Sequence, residues 1–446
     1  MNNLSSLVKY RSFYAILIGF WFVLSFFYIQ HTPAHIRTHD FWEHLEYTQI
    51  IVTEHRLPKP QEKWETYHPP FYYLLNSFIF PSSFDEDFVK FRNSDVPHVK
   101  WVDFLSVVYG TLTLILLSLF LQKYSKDLKI NLLVLLFICS TPKFVYIFTT
   151  YNNDSLSALF CVYAMYLVWE LHEKWSIKNA FILFIVSSLC FYTKYIIVLP
   201  MACVFFFFLL KSITQKSKPT VNEIKIIIVF ALSFMTLIPW LYFHNYKHTK
   251  KFLPTNFDNK INTDLSLSQA LIVLDSVIDI PFIRSDRSGL EVEKWEDPWS
   301  HVYLYEYQNG TKQHDYFMYI LVTSIYGEFM FDQKYVQYFW LLLFIHLMLL
   351  IIIFIRFIKY REPLVLLSMI FLLLSYLTHI LTIIRMTKPV YGCALDYRYI
   401  VWNLPAFAIL LSSILYSANN YKVNSIVRYI LYVGILLHIF VLLVVP

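Results

Sequence analysis

Long apolar runs separated by short polar loops dominate this chain. The first run, Phe13 to Ile29, follows Lys9 and Arg11 and is long enough to cross a bilayer as an uncleaved helix. Six more follow at Trp101–Leu121, Ile130–Phe148, Ser155–Trp169, Ala180–Tyr192, Tyr195–Leu210 and Glu223–Phe243. A long polar stretch intervenes before Tyr335–Ile355, Leu364–Ile384, Tyr399–Tyr416 and Tyr429–Val445. The pattern predicts an all-α polytopic membrane protein of about eleven transmembrane helices. It divides the chain into an N-terminal membrane module (1–243), an extracytoplasmic loop region (244–334) and C-terminal membrane helices (335–446).

Loop charge orients the spans. Lys123, Lys126, Lys129, Lys174, Lys178, Lys211, Lys216, Lys218, Arg356, Lys359, Arg361, Lys422 and Arg428 all fall on one side if Ala180–Leu210 is a hairpin broken at Thr193–Lys194. Cations in short loops mark the cytoplasmic side, so the N-terminus is expected inside. Five pieces are then expected outside: His31–Lys100, Thr149–Asp154, Thr193–Lys194, Asn245–Lys334 and Arg385–Arg398. The fourth is too long for a plain connector and is expected to form short helices capping the membrane domain.

Composition narrows the chemistry. The chain is 57% hydrophobic and only 15% charged, which fits no soluble class. Its seven glycines have no spacing that makes a phosphate-cradling loop, so phosphate must be met by Arg, Lys or helix N-termini. The five cysteines give neither a disulfide framework nor a zinc spacing. The net charge of +6 reports membrane orientation, and no nucleic-acid partner is expected.

The candidate chemistry gathers in His39–Leu75, just beyond the first span. Asp40, Glu43, His44 and Glu46 lie within seven residues, and Asp40 and Glu43 share a helical face with His44 beside them. A partly desolvated carboxylate at the bilayer mouth is a suitable general base. The alternative is an amphipathic surface helix that Asp40 caps and Trp42 anchors. His39, Glu43 and His44 read H-x-x-x-E-H, which is no zinc-protease motif, although a divalent metal held between loops stays open. Asp154 in Asn152–Asn153–Asp154 reads equally as a helix cap or as a second acid. Lys194 is costly in lipid unless it lines a polar cavity. Arg385, Lys388 and Arg398 run against the charge asymmetry, as binding a lipid phosphate on the outer face would require, or as snorkelling would.

In order along the chain, Asp40 with His44, Glu54–Pro58, Tyr67–Tyr73, Asn152–Asp154, Thr193–Tyr195, Ser324–Phe329 and Asp396–Tyr399 resemble the GT-C superfamily of glycosyltransferases. The likeness is to the branch of protein O-mannosyltransferases, aminoarabinose transferases and their bacterial relatives. The resemblance implies an inverting transfer of a monosaccharide from a polyprenyl-phosphate carrier to a lipid, glycan or protein acceptor. The reaction would sit on the non-cytoplasmic face, in a bacterial plasma membrane or else the endoplasmic reticulum. It implies Asp40 and Asp154 as catalytic and Lys194 and Arg398 against the carrier phosphate; Glu43 joins the catalytic acids by its place beside Asp40, and Arg385 joins the phosphate cations by its place on the expected outer face. His44, His68, Tyr67 and Asn153 would contact substrate. Asp40 and Glu43 stand where the family has adjacent acids, a departure bearing on metal use. The rivals are a lipid-linked oligosaccharide ligase or polymerase and a lipid or solute transporter. Acids gathered in outer loops, with no internal repeat, speak against transport.

Overall fold

The computed structural model describes residues 2–32, 40–80, 99–214, 218–252, 304–306, 312–314, 324–325, 336–359, 362–385, 397–416 and 421–444. The first half holds α1 (Asn2–His31), α2 (Phe41–Glu54), α3 (Phe71–Ser77), α4 (Val99–Tyr124), α5 (Leu128–Ser140), α6 (Pro142–Phe148), α7 (Asn153–Glu173) and α8 (Ile177–Thr193). A 3-10 turn at Tyr195–Ile197 leads into α9 (Val198–Met201), α10 (Cys203–Thr214) and α11 (Val221–Met235). A π-helical stretch, Trp240–Tyr246, continues into α12 (Lys247–Thr249). The C-terminal part holds α13 (Val336–Lys359), α14 (Pro363–Arg385), a 3-10 segment Tyr397–Asn403, α15 (Leu404–Tyr416) and α16 (Tyr421–Val444).

Among the described residues, seven helices are long and apolar enough to cross a membrane, and the bent pair α5–α6 makes an eighth. Three shorter apolar helices, Ile177–Thr193, Leu341–Ile355 and Ile400–Tyr416, complete the apolar set. Eleven crossings therefore require all three of the shorter helices to cross.

Local signals set the helix ends. Asp127 caps α5 by accepting from the amides of Lys129 and Ile130 at 2.9 and 3.3 Å. Ser176 caps α8, and Thr220 with Glu223 forms a capping box on α11. The expected single span Ile130–Phe148 is corrected to two helices meeting at 71°. Pro142 is the cause. It lacks an N–H and pushes Thr141 out of the helical region, to φ −58° and ψ 126°.

The core closes where α1, α4 and α6 meet. Trp21 is fully buried, donates to the Val107 carbonyl at 3.3 Å, and lies edge-on to Phe144 and Phe148. Gly110 permits that approach: a Cβ there would stand 2.7 Å from the Trp21 ring and 2.9 Å from the Phe148 Cβ.

One end of the bundle is basic. Lys123 pairs with Glu170, Lys211 with Glu223 at 2.6 Å, and Tyr124 donates to Glu362 at 2.5 Å. These bonds gather the ends of α4, α7 and α10 and the starts of α11 and α14. The opposite end carries the starts of α4 and α7, the end of α8, and the α2–α3 segment. In the expected loop 244–334 the described residues include a small antiparallel ladder, β1 (Leu304–Glu306) with β2 (Lys312–His314), rather than the expected capping helices alone.

Candidate active site at the acidic end of the bundle

α2 buries Phe41, His44, Leu45, Thr48 and Tyr47, so one face of the helix is fixed against the bundle. Asp40 occupies its N-cap position with φ −102° and ψ 18°, but its side chain makes no capping hydrogen bond. The surface-cap reading of Asp40 therefore fails; only its carbonyl serves the helix, accepting from the His44 amide at 3.0 Å. Glu43 is half-buried on the next turn, and among the described residues its Oε2 has no hydrogen-bond partner. Burial, helped by the negative charges of Asp40, Glu65 and Glu46 and opposed by a backbone hydrogen bond, pushes its carboxyl up to about 7.

His44 is buried, and its Nδ1 lies 2.8 Å from the Tyr73 hydroxyl. Burial pushes it down to about 4, against the pull of Glu65, Asp40 and Asp154, so it is neutral near pH 7. Tyr73 also stacks on Tyr47 at 3.8 Å, which locks α3 onto α2. Between the two helices the chain is pinned by Arg56, whose guanidinium spans Glu54 and Glu62 at 2.6 and 2.5 Å. His68 closes that loop, its Nε2 2.7 Å from the buried carboxylate of Glu65. Its ring lies nearly parallel to His44 at 6.2 Å and is flanked by Tyr67 at 4.2 Å.

The second wall comes from the α6–α7 junction. Tyr151 lies 2.6 Å from Thr48, one turn beyond His44 on α2. Asn152, not Asp154, caps α7, accepting from the Ser155 amide at 3.0 Å. That disposes of the capping reading of Asp154 and releases its carboxylate. Asp154 is buried and ion-pairs with the equally buried Lys194, the extended residue that ends α8. Asn153 is also buried. The Lys194 ammonium stands 5.8 Å from the Trp402 ring in the 3-10 segment Tyr397–Asn403.

The structure thus brings together Asp40, Glu43, His44, Tyr67, His68, Asn153, Asp154 and Lys194 at one end of the bundle. Arg398 stands in the same 3-10 segment as Trp402, and Arg385 ends α14; the side chains of both, and His39, lie outside the described residues. Glu65, Tyr151 and Trp402 were not singled out in the sequence, and Tyr73 stood there only as part of a motif, without a role. Glu65 had a usable signal, an acid three residues before His68. The Asp154–Lys194 pair spans forty residues and had none. Among the described residues no group of three or more His, Cys, Asp or Glu side chains is arranged to hold a metal ion, and Asp154 already faces a cation.

The family described as dolichyl-phosphate-mannose-protein mannosyltransferase matches residues 68–250, less than half of the chain. Two solved structures of an Archaeoglobus fulgidus oligosaccharyltransferase share its fold. One is tethered to an acceptor peptide containing the NVT sequon (13% identity, TM-score 0.51, 96% of this chain and 54% of that chain). The other, AglB in complex with an inhibitory peptide and a dolichol-phosphate, aligns at 13% identity and TM-score 0.53, over 96% of this chain and 55% of that one. The chain therefore spans about half the length of the solved proteins it resembles. No curated protein matches it in sequence. Fold, apolar helices and family match together describe a multi-pass membrane protein that is similar over residues 68–250 to the dolichyl-phosphate-mannose-protein mannosyltransferases.

Proposed function

We propose that the protein transfers a monosaccharide from a polyprenyl-phosphate carrier to a lipid, glycan or protein acceptor at the non-cytoplasmic membrane face. The observation that carries the reading is the Asp40 carboxylate. It stands at a helix start without capping it, beside a Glu43 held near neutrality and at the end of the bundle opposite the basic loops. The matched family is described by a dolichyl-phosphate-mannose donor, and one structural relative holds a dolichol-phosphate, which supports a polyprenyl-phosphate donor here.

In the proposed step Asp40 accepts the proton of the acceptor hydroxyl as its oxygen attacks the anomeric carbon. The bond from that carbon to the carrier phosphate breaks, the phosphate leaves with the electron pair, and the anomeric configuration inverts. The transition state carries oxocarbenium character at the sugar and negative charge on the phosphate. Arg398, Arg385 and Lys194 are assigned to that developing charge. Lys194 shares its charge with Asp154, so the pair also fixes the wall against which His44 and His68 orient the sugar. A neutral His44 bonded to Tyr73 is suited to hydroxyl recognition.

A second reading, transfer of a whole lipid-linked oligosaccharide, draws on the fold of the archaeal relatives. Mass spectrometry of lipid-linked sugars and surface glycans, with and without the gene, separates the two. Monosaccharide transfer predicts accumulation of a polyprenyl-phosphate monosaccharide and loss of one sugar from a glycan. Accumulation of a lipid-linked oligosaccharide would favour the second reading, and no change in either pool would exclude both.

A further inference from the structure

The loop that joins α2 to α3 is held from outside its own two helices. It carries Glu65, Tyr67 and His68 of the candidate site, and its backbone is strained. His55, which caps the end of α2, has φ 51°, and Gln61 has φ 68°. Residues with a side chain rarely adopt that left-handed region, and they stay there only where surrounding contacts hold them. Arg56 braces the turn through Glu54 and Glu62, and the Lys59 amide donates to Glu62 Oε2 at 2.8 Å. At the far end the Tyr47 hydroxyl donates to the His68 carbonyl at 3.3 Å. Pro58, buried between these braces, is reached by a residue 186 positions further along the chain.

That residue is His244. Its Nε2 lies 2.8 Å from the Pro58 carbonyl oxygen, which can only accept, so the ring donates there. The direction of the ring is fixed from two sides. It stacks on Trp240 with centroids 3.7 Å apart and planes at 15°. Its Nδ1 lies 3.1 Å from Asn245 Oδ1, and the buried Asn245 is anchored in turn by donating to the Phe252 carbonyl at 2.9 Å. Trp240, His244 and Asn245 all belong to the π-helical stretch Trp240–Tyr246. Such turns are rare and recur at functional sites. Here the turn aims one imidazole N–H at the loop of the candidate site.

We infer that His244 is a positioning residue for the candidate active site: the π-helical turn clamps the α2–α3 loop through the bond to the Pro58 carbonyl, and so sets where Glu65, Tyr67 and His68 stand. The kinetic consequence of the clamp rests on the proposed function, whereas the clamp itself does not. Side-chain chemistry separates it from a packing role for the ring. Phenylalanine at 244 keeps the stack on Trp240 and lacks the donor. Glutamine gives up the ring but carries an amide N–H close to the place of Nε2. Asparagine has the same amide on a shorter stem that stops short of Pro58.

The test pairs hydrogen–deuterium exchange of the full-length protein in detergent with a rate in cells. The rate is that at which each variant, expressed in cells lacking the gene, clears the accumulated lipid-linked monosaccharide. In His244→Phe the amides of residues 54–68 should exchange about 3- to 10-fold faster, the net worth of one hydrogen bond, while α4, α7 and α8 stay as in wild type. Clearance should slow by about 100-fold, as misplacing substrate contacts by an ångström does. His244→Gln should restore both, and His244→Asn should repeat the loss if His244→Phe fails to fold. Wild-type exchange of the loop in His244→Phe and His244→Asn would overturn the inference. So would failure of His244→Gln to restore the loop, which assigns the ring to packing, or faster exchange spread across α4, α7 and α8. A released loop with unchanged clearance would overturn the positioning role. If wild type clears no lipid-linked monosaccharide while the exchange pattern is as expected, the clamp stands and the transfer reading falls.

Discussion

At the residue scale, everything turns on how each carboxyl group is placed. Asp154 pairs with Lys194 and Glu65 with His68, and Asp40 stands at a helix start that its side chain does not cap. Asp40→Asn keeps the shape of the side chain but cannot accept a proton. Transfer should fall by about 10²–10⁴-fold with donor affinity near that of wild type, read from single-turnover and binding assays. Glu43 should show itself in the pH profile. Its carboxyl is raised from 4.5 to about 7 in the folded protein, so folding favours its protonated form. Its stabilising contribution is thus complete below pH 4.5 and is lost as the pH rises through about 7. Glu43→Gln should flatten the dependence of unfolding temperature on pH across that window. Little of this balance was legible in the sequence. Spacing placed Asp40, Glu43 and His44 together on one helix, but their environments depend on Glu65, Tyr73 and Asp154, which chain folding brings in.

At the scale of elements, the apolar runs anticipated the helices well, because twenty or so apolar residues have few alternatives in lipid. The break within Ile130–Phe148 was written in Thr141–Pro142, yet a hydropathy pattern does not register a proline. The pairing of α7 with α8 through Asp154 and Lys194 was illegible, since two short polar interruptions on separate helices carry no mark of partnership. Asp154→Asn alone should destabilise the protein by about 3–5 kcal/mol, because it leaves a buried ammonium without its counter-charge. Adding Lys194→Met should recover much of that loss, as denaturation of the double variant would show. Gly110→Leu tests the α1–α4–α6 junction: its side chain must displace Trp21 and Phe148, and overpacking of that kind costs about 1–3 kcal/mol or more.

At the scale of the molecule, the basic end and the acidic end define opposite faces. Lys178 and Lys63 are both exposed, one at each end. Cysteines placed there should react with an impermeant reagent from opposite sides, Lys63→Cys from the non-cytoplasmic side. Reaction of both from one side would refute the proposed orientation. The proposed orientation rests on the charge asymmetry of the loops, which the sequence displays directly in its lysines and arginines. Loop 244–334, which has no such regularity, gave no comparable guide to acceptor or sugar. The central claim is that Asp40 serves as base in a carrier-dependent sugar transfer. Its most direct test is to return the wild-type gene or Asp40→Asn, at matched membrane levels, to cells lacking the gene and to quantify polyprenyl-phosphate sugars by mass spectrometry. Wild type should clear the accumulated lipid-linked monosaccharide and restore the glycan, while Asp40→Asn should leave the monosaccharide accumulated; full restoration by Asp40→Asn would contradict the account.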